Sequence, residues 1–178
     1  MSTACHPAKN RNELLQTVAK EDSARMGDMM KSLIDDMSNL RLTKDPDIDF
    51  ATIMKLHHEC VMQMADMEIR MGKDTAIQTR AKNLLNRLQI RNKILDGFVF
   101  DQRPDNLNDS FSLQAISIFK QLSYSKNIGD TTSIIDQQFL SIVPVEHEIA
   151  IRVATVYLHY GTVPELKTVA SSIISSKR

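Results

Sequence analysis

Residues 57–65 read His57-His58-Glu59-Cys60-Val61-Met62-Gln63-Met64-Ala65, two adjacent histidines followed by thiol and thioether side chains. At about 100° per residue on a helix, Met54, His58, Met62 and Ala65 share one stripe, and His57, Cys60, Met64, Met67 and Met71 share a neighbouring one. Lys55, Glu59, Gln63, Asp66 and Arg70 collect on the opposite side. Both histidines are therefore expected to face inward among sulfur atoms. A methionine stripe alone is ordinary core filler. Two inward imidazoles add ring nitrogens that need partners once buried, and a metal ion is one such partner.

The stretch belongs to a repeat. Laying residues 47–81 on 136–170, a shift of 89 without gaps, brings nine identities into register, where chance gives roughly two. They are Asp47/Asp136, Phe50/Phe139, Ile53/Ile142, His58/His147, Glu59/Glu148, Ala65/Ala154, Gly72/Gly161, Thr79/Thr168 and Ala81/Ala170. A helical hairpin used twice, packed about a pseudo-twofold axis, predicts a four-helix bundle with additional flanking helices and places His58 and His147 as symmetry mates. The ligand chemistry is unequal between the copies. Apart from Met1, every methionine lies between residues 26 and 71, and His57, Met62 and Met64 are matched by Glu146, Ile151 and Val153.

The rest of the chain fits an all-α reading. Residues 1–9 carry no periodicity and are expected to form a disordered tail. Residues 10–178 read as one helical domain, with repeat one at about 23–99, a linker at 101–109 and repeat two at about 110–178. The first helical stretch, from Asn10 to about Leu42, brings Met26, Met30, Leu33 and Met37 onto one face, a second source of thioethers. Lys44-Asp45-Pro46-Asp47 breaks it, and Asp47 or Asp49 is expected to cap the next helix. Further helices are expected from about Thr75 to Val99, from about Ser110 to Lys126, after a loop at Asn127–Asp130 as far as Gly161, and from Pro164 onward, with Pro144 kinking the fifth or marking its start. Lys+Arg and Asp+Glu balance at 22 each, with three tyrosines, six phenylalanines and no tryptophan, a composition that argues against nucleic acid as a partner. No apolar run reaches the roughly 18 residues of a membrane span, and the N-terminus has no basic, hydrophobic leader. Cys5, after small residues, is the one hint of a lipoprotein stump, and Cys5 and Cys60 do not suggest a disulfide framework.

The pattern Phe50, His57-His58-x-x-Val61-Met62-x-Met64-Ala65, Gly72 resembles the HH-x-x-A-I-x-M-A helix of a bacterial domain-of-unknown-function family whose members are usually exported and carry the motif twice. The resemblance covers roughly residues 23–178. It implies a ferritin-like four-helix bundle with Met and His clusters and an extracytoplasmic, periplasmic location; the family includes a periplasmic copper-binding protein of cyanobacteria. The second copy departs from the motif at Glu146 and Val153.

Three readings follow. The leading one is a non-enzymatic binding protein for Cu(I), or Ag(I), acting as a chaperone or buffer with a protein partner for metal delivery and no organic cofactor. Thioether sulfur favours monovalent copper, and imidazole tolerates it. Its ligands would be drawn from His58, His57, Met54, Met62, Met64, Met26, Met30, Cys60 and His147. A zinc site at His57, His58 and Cys60 lacks the spacing of a closed tetrahedron. The second reading is a structural or interaction module whose site has decayed. The third, a ferritin-like di-iron oxidase, requires inward Glu and Glu-x-x-His ligands; no Glu-x-x-His occurs, and Glu68 is expected to be the one inward carboxylate on its helix.

Overall fold

The computed structural model describes residues 26–99, 103–125 and 134–176, and all regular structure among them is helical. The N-terminal tail with Cys5, residues 10–25 of the first expected helical stretch, and the expected loop at Asn127–Asp130 lie outside the described residues. Helix α1 occupies residues 26–39, followed by α2 (Pro46–Met71), α3 (Thr75–Val99), α4 (Asp109–Ser125), α5 (Ile135–Tyr160) and α6 (Pro164–Ser175). Shifting α2 by 89 residues gives the bounds of α5, and the same shift carries the start of α3 onto the start of α6. The repeat seen in the sequence is thus a repeat in space, and each hairpin is preceded by a further helix, α1 or α4. Helix α2 packs on α3, α4 and α5, while α5 packs on α4 and α6, so α2 and α5 form the centre of an all-α bundle.

Burial follows the predicted stripes. Met26, Met30, Met37, Met54 and Met64 join Phe50, Phe111, Phe119 and Tyr157 in one core, each no more than 1% exposed. Phe50 stacks on Tyr157 with ring centroids 3.9 Å apart, tying the two repeats through their central helices. Pro144 sits inside α5, which continues unbroken from Ile135 to Tyr160.

The start of α2 differs from expectation. Asp45 is the N-cap, accepting from the backbone N–H groups of Asp47 and Ile48 at 2.9 and 3.5 Å, because Pro46 takes the first helical position, where no N–H is needed. Asp49 instead accepts from the N–H and hydroxyl of Thr43 (2.7 and 2.8 Å) and from the N–H of Lys44 (3.1 Å). That clamp holds Lys44 at φ 70°, a left-handed conformation a lysine seldom adopts unaided. Asp47 is released to serve the other repeat: it accepts from the N–H of Thr162 at 3.0 Å and of Val163 at 3.2 Å, and from the hydroxyls of Thr162 and Tyr157. Its symmetry mate Asp136 accepts from the N–H of Lys73 and Asp74 at 3.0 and 2.9 Å. Each aspartate therefore holds the turn between the two hairpin helices of the opposite repeat.

Candidate functional site

The two histidines of α2 are both buried, at 3% and 1% exposure, but their surroundings differ. His58 Nδ1 lies 2.8 Å from the Oδ1 of Asn92 on α3. An amide oxygen only accepts, so Nδ1 carries the proton and Nε2 keeps its lone pair. Burial, then the neighbouring His57 ring, push His58 down to about 3 against the opposing pull of Asn92. It is neutral at any ordinary pH. His57 Nε2 stands 2.6 Å from Oε2 of Glu146 on α5. The approach lacks the alignment of a hydrogen bond, and both ring nitrogens and both carboxylate oxygens are buried without one. His57 Nδ1 and Glu146 Oε1 lack even this ion-pair contact, which is costly in a low-dielectric interior. In the repeat Glu146 occupies the position of His57, so the histidine and its replacement meet across the pseudo-twofold axis.

The sulfur side chains are distributed more widely than a single site requires. Met26, Met30, Met54 and Met64 are core residues, whereas Met62 and Cys60 are half-buried. The Cys60 thiol donates toward the carbonyl oxygen of Met29 on α1 at 3.6 Å. Burial, followed by Glu146 and Asp36, pushes this thiol up to about 12, so it remains protonated in the protein as it stands and packs as a small apolar group. His147, the mate of His58, is half-buried, with Nε2 donating to the carbonyl oxygen of Ser176 at 3.0 Å. Among the described residues no group of three or more His, Cys, Asp or Glu side chains is placed to hold one ion.

What the fold does bring together is a cavity of about 530 Å³ on the axis. Five pairs of its lining residues are related by the shift of 89: His57/Glu146, His58/His147, Val61/Ala150, Leu84/Ile173 and Arg87/Ser176. Of the expected ligands, His57, His58 and His147 line it, and none of the methionines does. Reading the sequence overlooked Asn92, Glu146 and the α3 residues Arg80, Arg87 and Arg91 that share this lining or support it. The signal for Glu146 lay in the repeat register. For the arginines it was their i, i+7 and i+11 spacing, which on a helix also describes a plain solvated face.

No helix among the described residues is long and apolar enough to cross a membrane. Comparison of the chain with protein-family models, with curated proteins and with solved structures gives no match to any of the three.

Proposed function

We propose that the chain binds a soft monovalent metal ion, Cu(I) or Ag(I), as cargo rather than turning over a substrate. The observation that carries this reading is His57, buried in a thioether-rich core with an unpartnered Nδ1. Its neighbours one helical turn away are Met54 and Cys60, and the His58 ring lies 5.9 Å off, held neutral with its Nε2 lone pair free of the Asn92 bond. We assign the rest of the shell to thioether sulfur, which the surrounding core supplies. That donor set selects Cu(I) over Zn(II) and over hard cations. A ferritin-like class, an extracytoplasmic location and a protein that receives the metal belong to the same proposal and rest on the family resemblance.

The test is Cu(I) titration under reducing conditions in competition with a colorimetric chelator, beside the same titration with Zn(II). Cu(I) is expected to bind more tightly, and His57→Gln to weaken it by about tenfold or more. Met54→Leu combined with Met64→Leu is a nearly volume-conserving change costing under about 1.5 kcal/mol per site. It should leave the fold intact and lower Cu(I) affinity. An unchanged isotherm in that folded variant, or Zn(II) bound as tightly as Cu(I), would leave these methionines as packing alone and favour a bundle whose ancestral site has decayed.

A further inference from the structure

The cavity on the axis has chemically unequal walls. Helix α3 contributes three guanidiniums, those of Arg80, Arg87 and Arg91. Their counterparts within the second repeat are neutral, Val169 for Arg80 and Ser176 for Arg87. Arg91 donates to the carbonyl oxygen of Ser172 near the end of α6 at 3.0 Å, while Arg80 and Arg87 have no carboxylate partner among the described residues. The one carboxylate in the lining, Glu146, is already turned to His57. Positive charge is therefore concentrated at one cavity in a chain whose total charge is zero. Arg87 and Arg91 lie close enough to repel: burial, then Arg87, lowers the pKa of Arg91. Beneath them the walls are apolar, formed by Leu84, Leu88, Phe139, Val143 and Ile173.

We propose that this cavity binds a small organic anion, its carboxylate or phosphate head at Arg80 and Arg87 and its apolar body against Leu84, Leu88, Val143 and Ile173. Guanidinium forks match both kinds of head group bidentately, and the exposed position of Arg80 and Arg87 places the head at the cavity mouth, where it stays partly hydrated. The volume of about 530 Å³ falls within the range of about 300–1,000 Å³ typical of small-molecule sites. An inorganic anion would answer the charge and leave the apolar wall wet. A neutral hydrophobe would do the reverse. This site uses atoms other than the unpartnered His57 Nδ1 and stands independently of the soft-metal reading.

The experiment is isothermal titration of the full chain, in metal-free buffer with a chelator, using octanoate, octyl phosphate, octanol and inorganic phosphate as probes. One saturable site for at least one of the two octyl anions is expected, with octanol and inorganic phosphate each weaker by about tenfold or more. Arg80→Gln with Arg87→Gln, both at exposed positions, should keep the circular dichroism spectrum and reduce affinity for the octyl anion by about tenfold or more. Val143→Trp should block the cavity and abolish binding. Octanol binding as tightly as the octyl anions, inorganic phosphate doing so, an unchanged affinity in the folded double-glutamine variant, or no binding of either octyl anion would each overturn the assignment. The Cu(I) titration, run separately, decides the other reading whichever way this one falls.

Discussion

At position 68 the first repeat carries a carboxyl group where the second carries the phenol of Tyr157. Tyr157 donates its hydroxyl proton to Asp47; Glu68 occupies the equivalent place beside Asp136, but it has a proton to give only when it is neutral. Burial first, and then the charge of Asp136, push Glu68 up to about 7 from an ordinary 4.5. Asp136 moves the other way: burial raises it, but the N–H groups of Asp74 and Lys73 and the proton of Glu68 outweigh that and hold it down. The sign for stability follows. A folded-state value above the unfolded one means that the contribution of Glu68 is complete below about pH 4.5, declines as pH rises, and is gone above about pH 7. Urea unfolding should therefore show lower stability at about pH 8 than at about pH 5. Glu68→Gln supplies a permanent N–H donor, so it should flatten this dependence and be the more stable protein at about pH 8, by on the order of 1–3 kcal/mol. An unaltered pH dependence in the variant would mean that Glu68 does not hold the proton.

The elements owe their arrangement to the two turns that Asp47 and Asp136 hold. Gly72 and Gly161 end α2 and α5 with ordinary φ values of −61° and −68°, so their lack of a side chain answers a need for space rather than for a left-handed backbone. A Cβ at Gly161 would run into the Tyr157 ring, and one at Gly72 into the Glu68 carboxyl. The ring is rigid and stacked on Phe50, so Gly161→Ala should displace it from Asp47 and cost about 1–3 kcal/mol, measurable as a lowered urea midpoint. Asp47→Ala should cost more, on the order of 3 kcal/mol, because four donors lose their acceptor at once. An Asp47→Ala protein as stable as the parent would show that water replaces the carboxylate without loss. The matched aspartates and glycines were legible as repeat identities, and the methionine stripes as core. What Asp47 does was not legible, because cap patterns are local and its partners lie 110–116 residues away. For the same reason Glu146 read as a departure from a motif, although it faces His57, and the α3 arginines read as solvent-facing charge.

Across the whole molecule, this cross-holding leaves neither repeat complete without the other. The α2–α3 turn loses its acceptor if α5 moves away, the α5–α6 turn loses its own if α2 does, and the cavity between them exists only while both central helices are in place. Loop N–H groups stripped of a buried acceptor are expensive to leave unpaired, so partly unfolded forms with one intact repeat should be poorly populated. The composition offers a direct check, since all three tyrosines, Tyr124, Tyr157 and Tyr160, belong to repeat two and there is no tryptophan. Tyrosine fluorescence therefore reports repeat two, while far-ultraviolet circular dichroism reports every helix. Both signals should follow one urea transition. Asp136→Ala frees a turn that belongs to repeat one, at Lys73 and Asp74, yet it should move the tyrosine midpoint as far as the dichroism midpoint. A tyrosine transition that stays where it was while part of the helical signal is lost at lower urea would show that the repeats unfold independently, and that the crossed aspartates do not couple them.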